Sequence, residues 1–268
     1  MTAKTAPRVP AQAFQNRPVL CPSGRPNGGF AQPRCEILRR PGTELVESQD
    51  PVSRILECAD AFDADLVVTG SHGRSGVQRV LLGSVVEALL HRSSRPVLAI
   101  PSHLDPVHAD DITFARIVCA VDFAAPSLAA MTYALSLAEE ANARLTLLHV
   151  IEKPAELTHP PQPPDFNVDR IRAEAEAASL TKLRALIPEH ARAYCTIDSE
   201  VLEGGVARQV LRMAADRRAD LIVLGVHGRN AFDLAFFGSN SKDVIRQAHC
   251  PVLIVPAARR GASIRAAS

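Results

Sequence analysis

Short apolar runs alternate with amphipathic segments through the second half of the chain. The run Arg116-Ile117-Val118-Cys119-Ala120-Val121 is rich in β-branched residues and stops at Asp122. It predicts a buried parallel strand, since such strands carry apolar residues on both faces. Pro126 and Ser127 open a predicted helix to about residue 142, with Leu128, Met131, Leu135 and Ala138 on one face. Further strands are predicted at 144–150, 194–202, 220–224 and 251–255, and helices at 168–187, 205–215 and 238–248. The segment 153–167 contains five prolines and reads as a loop. Strands alternating with helices give βαβαβαβαβ, an α/β fold with a parallel sheet covered on both faces.

The pattern repeats. Shifted by 155, residues 46–101 overlay 201–256 without a gap, and 17 of the 56 pairs are identical. Ala64-Asp65-Leu66 matches Ala219-Asp220-Leu221, and Gly70-Ser71-His72-Gly73-Arg74 matches Gly225-Val226-His227-Gly228-Arg229. Gly83-Ser84 matches Gly238-Ser239, and Pro96-Val97-Leu98 matches Pro251-Val252-Leu253. A match of this kind marks two copies of one unit. The first copy holds only the end of the unit: a poor third strand near 44–46, then helix, strand, glycine loop, helix and strand. The organisation expected is an irregular segment at 1–45, a partial domain at 46–101, a linker at 102–113, a complete domain at 114–257 and a tail at 258–268. Residues 1–45 contain seven prolines and four glycines at a net charge of +5. Such composition reads as irregular, either a solvated tail, a truncation or a basic interaction arm.

Charge and composition narrow the function classes. The formal net charge is +1 with 22% charged residues, so no overall field draws nucleic acid or an anionic membrane. No run approaches the roughly 20 apolar residues of a membrane span, and the N-terminus lacks a secretory apolar core. Tryptophan is absent and tyrosine rare, which removes an aromatic platform for single strands. The six cysteines are scattered without a Cys-x-x-Cys pair, a pattern expected of reduced, buried thiols in a cytoplasmic protein. His249-Cys250 has no second pair at metal-ligand spacing and reads as core packing.

Two features of the second copy converge. Asp122 directly follows its first strand and Gly225 its fourth. In open doubly wound sheets, ligands bind beyond the carboxyl ends of strands where the strand order reverses. The loop from Gly225 to Ser239 reads Gly-x2-Gly-x9-Gly-Ser. Gly225 and Gly228 are expected to turn at positive φ and let a ligand approach the backbone. Gly238-Ser239 opens a helix whose free N–H groups suit an anion. Asp122 is able to accept hydrogen bonds from a ribose or an adenine amino group. His227 and its counterpart His72 suit either phosphate contact or a role in the turn. Arg229 and Arg74 suit either phosphate charge or solvent.

On these residues the sequence resembles the universal stress protein family in its ATP-binding branch, fully over 114–257 and partly over 46–101. The family's phosphate motif, Gly-x2-Gly-x9-Gly-Ser/Thr, occurs twice, at 70–84 and 225–239. The strand ending in Asp122, the strand end Leu148-His149-Val150 and the last strand Cys250-Pro251-Val252-Leu253-Ile254-Val255 also resemble the family. The resemblance implies an open, doubly wound, mostly parallel five-stranded sheet of the Rossmann-like, adenine nucleotide alpha-hydrolase-like kind, with a partial copy before it. It implies ATP as the bound cofactor, with phosphates at Gly225, Gly228, Gly238 and Ser239 and the nucleoside at Asp122 and Val150. Mg2+ would accompany the phosphates, as in other phosphate sites. Pairing through the last strands is implied, within the chain or between chains. The first copy keeps Gly70, Gly73, Gly83 and Ser84 but has no Asp-ended first strand in this sequence, so weak or no independent binding is expected there.

Three function classes follow. The chain is a nucleotide-dependent regulatory or stress-response module with an unidentified protein partner, a slow ATPase or adenylating enzyme, or a scaffold without nucleotide. The sequence has no Gly-x4-Gly-Lys-Ser/Thr motif and no Ser-Gly-Gly-x-Asp-Ser loop. No nucleophile and base stand together near the glycine loop. This favours binding over turnover.

Overall fold

The computed structural model describes residues 20–22, 34–39, 42–71, 82–101, 104, 114–152, 168–226 and 238–256. Three strands, β1 (Leu20–Pro22), β2 (Arg34–Arg39) and β3 (Gly42–Glu47), form a small antiparallel sheet in that order. Helix α1 (Pro51–Ala61), β4 (Val67–Gly70), α2 (Ser84–Arg92) and β5 (Val97–Ile100) complete the first copy. The second copy runs β6 (Arg116–Ala120), α3 (Ala125–Ala141), β7 (Arg144–Ile151), α4 (Val168–Ala185), β8 (Thr196–Glu203), α5 (Val206–Asp216), β9 (Leu221–Val226), α6 (Ser239–Gln247) and β10 (Val252–Pro256). A 3-10 turn at Glu189–Ala193 precedes β8.

Strands β4 to β10 make one seven-stranded sheet ordered β4-β5-β10-β9-β6-β7-β8. Five of them, β10-β9-β6-β7-β8, are parallel to one another and are the sheet expected for the second copy. The first copy widens that sheet to seven strands through its last strand, in line with the last-strand pairing implied within the chain. Strand β5 joins β10 in antiparallel fashion and β4 lies parallel to β5, so the sheet is mixed and crosses both copies. The poor third strand expected near 44–46 is β3, but it pairs with β2 outside the main sheet. Its counterpart β8 is held in the main sheet by β7 alone, and among the described residues of the first copy no strand corresponds to β7. Strands β1 and β2 lie in the stretch that the composition marks as irregular.

Two cores flank the sheet, as the apolar strands require. On one face Ile117 and Cys119 of β6 and the following Val121 pack with Met131 and Leu135 of α3 and Leu183 of α4. On the other, Val118 packs in a core that also contains Ile55, Leu89, Val210, Ile245 and Ile254. That second core is built jointly by both copies. Local signals set the element ends. Asp50 caps α1, its carboxylate accepting the Ser53 N–H at 3.1 Å, with Pro51 opening the helix. Asn142 closes α3 at φ 49°, the left-handed conformation that Asn tolerates.

Candidate nucleotide site

The chain leaves β6 for α3, β7 and β8 on one side, then crosses to β9 and β10 on the other. The order therefore reverses between β6 and β9, which are parallel neighbours from Ile117↔Leu221 to Cys119↔Val223. At their amino ends Arg116 and Asp220 clasp the two strands. The Arg116 backbone N–H donates to Asp220 Oδ2 at 2.9 Å and its guanidinium to Oδ1 at 2.7 Å. At their carboxyl ends stand Asp122 and Gly225, one on each side of the reversal.

Asp122 is exposed, and its Oδ1 accepts the Ala124 N–H at 2.9 Å, which folds the chain into α3. Its own N–H donates to Ser127 Oγ at 3.2 Å, and Ser127 Oγ donates to the Ala124 carbonyl at 3.0 Å. Phe123 between them is left-handed at φ 65°, a conformation rarely taken by bulky side chains. Its ring lies 4.6 Å from that of His149, and Lys182 Nζ sits 4.1 Å above its centroid. His149 Nδ1 also meets the Val121 carbonyl at 2.8 Å. This group fixes the turn that carries Asp122. Sequence patterning marks Ser127 only as opening a helix and singles out neither Phe123 nor Lys182, which meet through tertiary contact.

Val150 is half-buried near the end of β7, paired with Leu202 of β8. On the other side of β7 the neighbour stops early. The last β6–β7 pair is Ala120↔Leu148, followed by one bond from the Val121 N–H to the Leu148 carbonyl at 2.8 Å. Backbone groups two residues apart face the same way along a strand. The Val150 N–H and carbonyl thus point toward the place that β6 has vacated.

Gly225 needs its missing side chain for a reason different from the one expected. It lies inside β9, without positive φ. A β-carbon there would stand 2.2 Å from the Pro126 carbonyl oxygen and 2.5 Å from the Ser127 nitrogen. The first glycine therefore lets the start of α3 lie against β9. Gly238 is the opposite case. It is the N-cap of α6 at φ −56° and ψ 145°, and among the described residues no side chain caps the helix and nothing lies within 4 Å of where a β-carbon would stand. Ser239, the first residue of α6, is exposed. Helix α6 runs back between two parallel strands and so begins at the carboxyl end of the sheet, where Asp122 and Val150 also lie. His227, Gly228 and Arg229 lie outside the described residues, as do His72, Gly73 and Arg74. In the first copy Gly83 caps α2 at φ −60° and ψ 135°, nearly the geometry of Gly238.

The side chains of Cys58, Cys119, Cys195 and Cys250 are buried. Among the described residues no helix is long and apolar enough to cross a membrane.

Comparison with known proteins agrees with this architecture. The model of the universal stress protein family matches residues 31–101 and 113–256. A universal stress protein of Methanocaldococcus jannaschii is 29% identical over 142 residues, covering 53% of this chain and 82% of that protein. One from Mycobacterium bovis is 28% identical over 218 residues, covering 79% of this chain and 68% of its own length. Among solved structures, a universal stress protein from Archaeoglobus fulgidus shares the fold at a TM-score of 0.53 and 23% identity, over 78% of this chain and 67% of that one. The family match in two blocks, joined to a sheet in which the two blocks meet, places the chain in the universal stress protein family as a two-part member.

Proposed function

We propose that the second copy binds one adenine nucleotide, ATP, in the crevice between β6 and β9, and that the chain acts as a nucleotide-dependent regulatory or stress-response module in the cytoplasm. The observation that carries this reading is the reversal of strand order between β6 and β9, with Asp122 and Gly225 at its two lips. The surrounding residues fit the ligand at three points. The open backbone edge at Val150 suits the base, which needs one donor and one acceptor. The exposed Asp122 carboxylate suits the ribose hydroxyls, since Ala124 occupies only one of its oxygens. The start of α6, where among the described residues no side chain caps the helix or crowds Gly238, suits phosphate. His227, Gly228 and Arg229 of the same loop belong to the proposed phosphate site, and Mg2+ would accompany the phosphates.

Calorimetric titration of the purified chain with ATP and Mg2+ tests the reading. Near one-to-one binding is expected, lost in Gly228→Val and weakened in Asp122→Ala. A valine at 228 would fill space that phosphates need. A folded chain that takes up no nucleotide would instead support the scaffold reading, for which the jointly built core of the two copies is the favouring observation. A product assay on the bound complex then separates holding ATP from slow hydrolysis.

A further inference from the structure

The antiparallel junction between β5 and β10 has a two-fold centre. It pairs Leu98 with Leu253, flanked by Ala99 with Val252 and Val97 with Ile254. Leu98 and Leu253 are the same position of the repeat, offset by 155, and the flanking pairs are symmetric about them. A position meets its own counterpart only at such a centre, as in an isologous dimer. The helices supply a second meeting of counterparts. The Lys242 ammonium of α6 donates to the Glu87 carboxylate of α2, and these residues are also 155 apart. Here the two copies carry opposite charges.

We infer that Glu87 and Lys242 bias this junction toward a first copy against a second copy, and away from two second copies from different chains. The strands alone cannot make that choice, because leucine would face leucine at the centre in every combination. The helix pair can. Two second copies joined through β10 would bring Lys242 against Lys242, and two first copies would bring Glu87 against Glu87. Both arrangements set like charges together, the repulsive element by which interfaces reject wrong partners. The nearest charges belong to each copy's own helix. Asp243 and Arg246 pair with each other at 2.8 Å, and His91 lies 4.0 Å from Glu87 on the same side of the pair. The partner chemistry that suits the second copy is thus a stress-protein unit with a carboxylate at this helix position, and the first copy supplies it within the chain. The two side chains remain 39% and 37% exposed, so each contributes a modest increment to selection.

Two experiments on the full chain test this. A zero-length carbodiimide joins a carboxylate to an amine only when they touch. Mixed isotope-labelled and unlabelled protein should yield a Glu87–Lys242 link inside single chains. The second experiment is a charge cycle. Glu87→Lys and Lys242→Glu should each lower the melting temperature by about 2–4 °C, and the double exchange should recover most of that loss. An 87–242 link found only between chains, no such link at all, or a double exchange no more stable than the sum of the single changes would overturn the inference.

Discussion

A β-carbon on Gly225 would come within 2.2 Å of the carbonyl oxygen of Pro126. The obstruction is backbone, so neither partner can swing aside as a side chain would. Gly225→Ala should therefore push α3 from β9 and destabilise the fold by about 1–3 kcal/mol, read as a lower melting temperature. Gly238→Ala should behave differently. Its φ of −56° suits alanine and the space around it is open, so folding should lose under about 1 kcal/mol. Nucleotide affinity should fall in both variants, but only in Gly225→Ala together with stability. Melting curves beside ATP titrations separate the two glycines of one motif. Equal stability losses in both variants would refute the assignment.

Asp122 holds the turn into α3 and also faces solvent beside the crevice. Asp122→Ala removes the acceptor for the Ala124 N–H, a loss comparable to a helix cap at about 0.5–2 kcal/mol. It should also weaken ATP binding roughly 10- to 100-fold, as expected for hydrogen bonds to a charged group. Asp122→Asn keeps an oxygen for Ala124 and should restore most of the stability while recovering only part of the affinity. Urea unfolding and titration of both variants would check this. If the Asn variant were as unstable as the Ala variant, the turn would depend on charge and not on the acceptor.

Much of this arrangement is legible in the sequence, and the remainder is hidden for physical reasons. The apolar run before Asp122, the proline opening α3 and the asparagine closing it are local signals, and their elements form where the pattern puts them. The glycine motif draws attention to Gly225, but the work of Gly225 is tertiary: only the folded chain brings Pro126 against it. The same holds for the left-handed turn at Phe123, a residue type that carries no turn signal, and for the ring of His149 beside it. Whether the last strands pair within the chain or between chains stays open in the sequence, because the pairing of 98 with 253 is long-range and leaves no trace in periodicity. The repeat itself, however, points to the junction, since both last strands read Pro-Val-Leu.

The first copy repeats the glycine motif and the cap geometry at Gly83, yet among its described residues none stands where Asp122 and Val150 stand in the second copy. An anion-binding helix start alone contributes little of a nucleotide's affinity, because the base and ribose have nothing to hold. Saturation should therefore occur near one nucleotide per chain. Gly83→Ala should leave ATP affinity unchanged, where Gly238→Ala lowers it. Equilibrium dialysis with labelled ATP measures the stoichiometry, and two equal sites would contradict the division of labour between the copies.

Cys119 lies wholly inside the sheet, and burial pushes its thiol up to about 12 from the usual 9.0. Burial does the same to Cys250, also to about 12, with Asp220 adding to the effect. Both thiols stay protonated in the folded chain well past the point where they ionise in the unfolded one. Their contribution to stability is thus intact below pH 9.0 and is lost as the pH rises toward 12. Each should cost about 1.4 kcal/mol per pH unit within that window. Urea midpoints should fall steeply from pH 9 to 10.5, and Cys119→Ala should flatten the fall. Site-resolved alkylation at pH 8 should leave both residues unmodified until denaturant is added, because a thiol that stays protonated and shielded is a poor nucleophile. Rapid native labelling of Cys119 would mean that β6 opens readily, and the crevice that it anchors would then be mobile at its base.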